Sequence, residues 1–145
     1  MRLRKGTAMG RFAVEFKVAN NQDVQLAQAG VLGAGKVRQA FLRGVVDSGA
    51  AQLVLPRKVA VDLGLRKLGK ATVRYADQRS AKRVMVEEVR VELMGRHATF
   101  QAVVEPKRGT ALIGTIVLEA LDLVVDCRQQ KLAPRDPKQI VAEIE

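Results

Sequence analysis

A carboxylate, a hydroxyl and a glycine lie side by side at Asp47, Ser48 and Gly49, between the apolar runs 45–46 and 53–55. A buried carboxylate is costly unless it accepts hydrogen bonds or shares its charge with a neighbouring group. The serine hydroxyl can donate and accept hydrogen bonds, and glycine lets the backbone approach another chain or a ligand closely. Such strings also form ordinary turns. The apolar flanks nevertheless indicate that the corner lies inside the domain, where the carboxylate has to be hydrogen-bonded or to share its charge.

The elements around this corner are mostly short β-strands. Alternating apolar and β-branched residues predict strands at 11–18, 37–46, 71–75, 83–93, 97–104 and 123–125. Pro56 and Gly64 are typical of the two ends of a short helix, and 115–120 predicts one or two helical turns. We expect 20–36 to be a long loop or inserted hairpin, with 23–30 as a short edge strand. This pattern predicts a closed or sandwiched β architecture.

Composition limits the class of protein. A chain of 145 residues is most simply one domain. Cys127 is the only cysteine, so no disulfide can form within the chain, and we expect a reducing, cytoplasmic location. One histidine, His97, and one cysteine do not supply a metal site, and we expect no cofactor. We also expect no secretory signal and no membrane-spanning segment.

The net charge of +10 allows a basic nucleic-acid-binding β domain as one interpretation. The basic residues are spread along the chain, and aromatic residues make up only 3% of it. Because stacking on aromatic side chains is how single-stranded nucleic acid is usually held, the composition argues against such a partner. A serine hydrolase is also disfavoured, since Ser48 lacks the G-x-S-x-G setting.

The segment VVDSGAAQLVLP at 45–56 resembles the active-site segment of the retropepsin-like aspartic proteases, the single-domain retroviral type. Leu112-Ile113-Gly114 resembles the second element of that family, an apolar pair followed by glycine and a short helix. The continuation at 118–132 is similar to the helix and final strand of bacterial members. The resemblance covers roughly residues 10 to 135 and implies an all-β, homodimeric fold, a closed β-barrel with one or two short helices.

The resemblance also implies roles for individual residues. Asp47 would be the catalytic carboxylate, and Ser48 would lock the two corners of a dimer together. Gly49, followed by Ala50, would let its backbone bind substrate, and Gly114 would lie beneath the corner. The segment 75–80 would be a flap that closes over a peptide, and its first four residues are Tyr75, Ala76, Asp77 and Gln78.

Two departures from the family pattern bear on activity. Gln78 stands where many relatives have glycine at the flap tip, which would stiffen the flap or change its turn type. Ala51 and Gln52 stand where retroviral enzymes carry acidic residues that hold the substrate backbone. These departures keep open a second interpretation, a non-catalytic peptide-binding or dimerisation module with the same fold.

Aspartic proteolysis needs two carboxylates that share a proton. This chain has one Asp-Ser-Gly corner, so we expect the second carboxylate to be Asp47 of another copy across a twofold axis. The predicted organisation is a basic N-terminal extension at 1–10, a protease domain at 11–135 and a C-terminal segment at 136–145. The last of these is either a dimer-interface strand or a frayed tail. The predicted function is aspartic endopeptidase activity on peptide or protein substrates.

Overall fold

The computed structural model describes residues 11–145, so the predicted extension at 1–10 lies outside the described residues. Within this range, nine β-strands follow one another along the chain. Their bounds are β1 Arg11–Asn20, β2 Gln39–Asp47, β3 Leu53–Pro56, β4 Arg66–Arg74, β5 Ser80–Leu93, β6 Arg96–Glu105, β7 Ala111–Ile113, β8 Leu123–Asp126 and β9 Lys131–Pro134. Three short α-helices, α1 Asn21–Gln28, α2 Arg57–Asp62 and α3 Thr115–Ala120, connect them, together with a 3-10 turn at Ala34–Lys36.

Six of the strands form a closed barrel. The order of hydrogen-bonded neighbours is β1-β2-β7-β3-β6-β5, and β5 pairs with β1 to complete the ring. Most pairs are antiparallel, but β2 pairs with β7, and β3 with β6, in parallel. Closure removes the exposed strand edges of an open sheet. The prediction of a closed, all-β architecture is therefore confirmed.

Aliphatic side chains fill the barrel, as the scarcity of aromatic residues requires. Val18, Leu55, Val91 and Ile113 are fully buried within one continuous apolar cluster. Gly44 on β2 allows close packing there, because a Cβ atom at this position would lie 2.6 Å from the Phe16 ring. The barrel interior is therefore packed with aliphatic side chains in close contact.

The segment at 21–28 is the main difference from the sequence-based prediction of a loop with an edge strand at 23–30. It forms helix α1, for which the Asn20 side chain is the N-cap and accepts a hydrogen bond from the Asp23 backbone N–H. The buried Asp23 carboxylate in turn accepts two bonds from the Arg38 side chain, at 2.8 and 3.0 Å. These contacts fix α1 against the start of β2, so three short helices are present rather than one or two.

Two structures lie outside the ring. Among the strands of residues 11–145, β4 pairs only with β5, and the resulting hairpin projects with its turn at 75–79. Strands β8 and β9 form a separate two-stranded sheet. Residues 136–145, the predicted interface segment, carry no helix or strand in this single subunit. Within residues 11–145, no helix is long and apolar enough to cross a membrane.

Candidate active site

The Asp-Ser-Gly corner is a tight turn at the end of β2. The backbone N–H of Ala50 donates to the Asp47 carbonyl at 3.1 Å, which closes the turn. The backbone N–H of Gly49 donates to Asp47 Oδ1 at 2.9 Å, so the carboxylate is held by its own turn. The Asp47 side chain is only 12% exposed, whereas Ser48 and Gly49 are exposed. The corner thus presents a polar edge in front of a mostly buried carboxylate.

The other carboxylate oxygen of Asp47 contacts a cation. Arg11 is the cross-strand partner of Asp47 in the β1–β2 pair, and its Nη2 donates to Asp47 Oδ2 at 3.0 Å. The Arg11 side chain is 57% exposed, so solvent reaches the guanidinium but little of the carboxylate. Sequence patterning missed this contact, because Arg11 looks like an ordinary charge on the outer face of a strand.

The segment at 114–116 fixes the corner loop from below. The backbone N–H groups of Thr115 and Ile116, in the first turn of α3, donate to the carbonyls of Ala50 and Ala51 at 2.9 and 3.0 Å. Gly114 is buried, and a Cβ atom there would lie 2.5 Å from backbone atoms of Ala51 and Gln52. Only a glycine lets β7 approach the corner loop this closely. The structure therefore brings Asp47, Gly49, Ala50 and Gly114 together.

The turn of the β4–β5 hairpin contains the four residues predicted for the flap tip. The Gln78 N–H donates to the Tyr75 carbonyl, and the Tyr75 N–H donates to the Arg79 carbonyl, which defines a three-residue loop over 76–78. Gln78 has a φ of +73°, the left-handed conformation that such loops normally assign to glycine. The Asp77 carboxylate accepts the Arg79 N–H at 3.0 Å. The glutamine is therefore held in a conformation that suits glycine better.

Polar contacts with Glu105 connect the hairpin to the barrel. Like the Arg11–Asp47 contact, they were not predicted from the sequence. Glu105, at the end of β6, accepts a short hydrogen bond from the Tyr75 hydroxyl and a 2.8 Å bond from Arg83 Nε. The Arg83 guanidinium also lies 5.8 Å from the centre of the Tyr75 ring. Because the neighbouring carboxylate disfavours the phenolate, the hydrogen bond to Glu105 raises the pKa of Tyr75 above 10.0. The Tyr75 side chain is therefore bonded to the barrel, whereas Ala76, Asp77 and Gln78 are exposed at the hairpin turn.

Other chemistry is not assembled in the described part of the chain. No group of three or more His, Cys, Asp and Glu side chains there could hold a metal ion. Cys127 is exposed in the β8–β9 turn, and His97 is exposed on β6.

A closed six-stranded barrel with an Asp-Ser-Gly corner braced by an Ile-Gly segment is the retropepsin-like architecture. The family model described as "Aspartyl protease" matches residues 27–117, which include the corner, the hairpin and Gly114. The chain therefore belongs to the aspartyl protease family. None of the curated proteins matches it. Among solved structures, the EIAV protease complexed with the inhibitor HBY-793 is 20% identical, with 56% of this chain and 77% of that chain covered and a TM-score of 0.48.

Proposed function

We propose that this protein is a homodimeric aspartic endopeptidase whose two Asp47 carboxylates act on one peptide bond. The observation that carries this proposal is the corner itself, where a mostly buried carboxylate lies behind an exposed Ser48-Gly49 edge. One copy supplies a single such carboxylate. A twofold contact through this edge would place each Asp47 beside its own copy.

The chemistry follows from sharing one proton between the two carboxylates. The ionised Asp47 takes a proton from a water molecule, whose oxygen bonds to the peptide carbonyl carbon, while the protonated Asp47 of the other copy donates its proton to the carbonyl oxygen. Transfer of a proton to the peptide nitrogen then accompanies cleavage of the C–N bond, which releases a carboxylic acid and an amine. Activity should be highest in mildly acidic solution, where one proton remains on the pair.

The β4–β5 hairpin is the proposed flap. Its turn residues 76–79 are exposed, and β4 pairs with no strand of residues 11–145 other than β5. Opening of the hairpin is opposed by the contacts of Glu105 with Tyr75 and Arg83. We expect hydrogen exchange at 75–82 to slow when a peptide inhibitor binds. Unchanged protection at these residues would mean that the hairpin is not a lid.

The deciding experiment is the substitution Asp47→Asn, assayed for peptide hydrolysis from acidic to neutral pH alongside sedimentation and thermal melting. The variant should fold, dimerise and lose cleavage by about 10²–10⁴-fold or more, because no carboxylate remains to accept a proton. Asp126→Asn is the matched control, since Asp126 also accepts a backbone N–H in its own turn, from Gln129, but lies outside the site. Specific activity of the wild type should fall on dilution as subunits separate.

Equal cleavage by Asp47→Asn and wild type would contradict the proposal. The alternative, a non-catalytic peptide-binding module, is favoured by one observation, the Arg11 guanidinium that occupies Asp47 Oδ2. Peptide binding without cleavage by either protein at any pH would support that alternative.

A further inference from the structure

A cleft lies between the flap hairpin and the loop at 106–110. Its volume is about 440 Å³. Both the turn side of the hairpin and the segment that follows β6 contribute to its walls. The charged and aromatic side chains among its lining residues are Tyr75, Arg79, Arg83, Glu105, Lys107 and Arg108. The cleft is therefore formed by residues far apart in the sequence, and five of its nine lining residues carry charge.

The charge of this lining is unbalanced. Four cationic side chains face one carboxylate, that of Glu105. Glu105 already accepts hydrogen bonds from the Tyr75 hydroxyl and from Arg83 Nε. Its negative charge is therefore compensated by Arg83, one of the four cations. Arg79 contacts Asp77 at 2.6 Å on the exposed hairpin turn. The excess positive charge accordingly belongs to the loop residues Lys107 and Arg108.

Two hydrogen bonds orient the Arg108 guanidinium and leave its charge available to an anion. Its Nε donates to the Thr110 carbonyl at 3.0 Å and its Nη2 to Thr110 Oγ1 at 3.2 Å. Both acceptors are neutral, so they orient the guanidinium without compensating its charge. The side chain is half-buried, which reduces the solvent screening of a bound carboxylate. Lys107 beside it is exposed and adds a second, more mobile cation.

The chain path limits how far the cleft can lie from Asp47. The loop at 106–110 runs directly into β7, where Ile113 pairs with Val46, the residue before Asp47. Arg108 precedes Ile113 by five residues, which span at most about 18 Å. An extended peptide with its scissile bond at Asp47 would therefore reach the cleft within about six residues.

We infer that this cleft is a subsite for an acidic side chain of the peptide substrate, with Arg108 as the main specificity determinant and Lys107 as its support; the inference rests on the proposed protease function. The surrounding charge favours the same ligand. Residues 66–83 contain seven Lys or Arg and a single acidic residue, Asp77. An acidic peptide would be attracted to this hairpin before it reaches the cleft.

The test measures binding separately from cleavage. The Asp47→Asn protein is titrated with a series of peptides that lack Tyr and Trp. Each peptide carries one glutamate, at a different position in each member of the series. A second series has glutamine in place of that glutamate. Tyr75 is the only tyrosine and the chain has no tryptophan, so tyrosine fluorescence reports directly on the cleft. When the glutamate occupies the position that reaches the cleft, that peptide should bind about tenfold or more tightly than its glutamine counterpart. Added salt should reduce this difference in affinity.

Three substitutions locate the effect. Arg108→Gln should remove most of the glutamate preference, and Lys107→Gln should reduce it only two- to fivefold, because that side chain is exposed. Arg128→Gln, a change of equal charge in the exposed β8–β9 turn, should leave the preference intact. Arg108→Glu provides a check that does not depend on loss of binding, since it should reverse the preference towards a lysine peptide at the same register.

The outcomes separate this inference from the proposed function. Cleavage by wild type that is indifferent to glutamate or glutamine at every register would overturn the subsite and leave the protease proposal standing. A glutamate preference that depends on Arg108, in a protein that cleaves nothing, would support the subsite and contradict the protease proposal. Equal binding of glutamate and glutamine peptides, or tighter binding of a single-stranded oligonucleotide that Arg108→Gln does not weaken, would overturn the inference.

Discussion

The Arg11 guanidinium lies 3.0 Å from the Asp47 carboxylate, and the two residues are direct cross-strand partners in the β1–β2 pair. The contact occupies Oδ2, the oxygen that the Gly49 backbone leaves free. In the proposed catalytic pair, that oxygen would face the second carboxylate and a water molecule. Arg11 would therefore compete with formation of the proposed dimer for the same carboxylate.

Arg11→Gln should strengthen the dimer, because no guanidinium then has to leave Asp47. A partly exposed ion pair contributes about 0.2–1 kcal/mol, and two such pairs per dimer correspond to a roughly two- to thirtyfold lower dissociation constant. Sedimentation equilibrium and the dilution dependence of activity measure this change. Arg128→Gln is the control of equal charge. A weaker dimer in Arg11→Gln alone would show that Arg11 supports the interface instead.

Gln78→Gly should stabilise the flap turn. The φ of +73° costs a side chain about 1–2 kcal/mol, of which greater freedom of glycine in the unfolded chain offsets about 0.5–1 kcal/mol. We expect a net gain of about 0–1.5 kcal/mol in the free energy of unfolding by urea. Gln101→Gly, in the exposed interior of β6, lacks the positive φ and should be destabilising. Equal losses in both variants would exclude strain at Gln78.

Gly114→Ala should be destabilising by about 1–3 kcal/mol and should reduce peptide cleavage. The new Cβ atom would lie 2.5 Å from backbone atoms of Ala51 and Gln52, which cannot rotate away as a side chain could. Gly35→Ala is the matched control, since a Cβ atom there has nothing within 4 Å and the residue lies outside the corner and the cleft. Denaturant unfolding and activity are measured on both variants. A harmless Gly114→Ala would mean that the corner loop shifts at little cost.

The Tyr75 phenol should titrate above its ordinary pKa of 10.0, since its hydrogen bond to Glu105 raises that pKa. A raised pKa means that the contact stabilises the fold below the unfolded-state pKa and that this stabilisation is lost as pH rises through the folded-state pKa. As the only tyrosine, Tyr75 can be followed by phenolate absorbance. Glu105→Gln should bring the midpoint back towards 10, whereas Glu119→Gln, outside the contact, should not move it.

Local sequence patterns predicted most of the barrel strands and pointed to the corner at 47–50. Period-two alternation is a property of each strand by itself, so β1, β5 and β6 were found close to their true bounds. The resemblance to the retropepsin-like proteases supplied the flap at 75–80 and the place of Gly114 beneath the corner. The assignment of Gln78 to a glycine position came from the same resemblance.

Tertiary structure decided what depends on register and on distant partners. Helix α1 was predicted as a loop with an edge strand, because its weakly amphipathic sequence is held by the Asp23–Arg38 contact and by Asn20, which also bonds to the Leu63 carbonyl. Arg11 meets Asp47 only through the β1–β2 register, and Tyr75 meets Glu105 across 30 residues of chain. Alternation shows which face of a strand is buried, but it does not specify which strands become neighbours. Closure of the barrel determines which strands are neighbours. It also places the loop at 106–110, which contains Arg108, beside the β4–β5 hairpin.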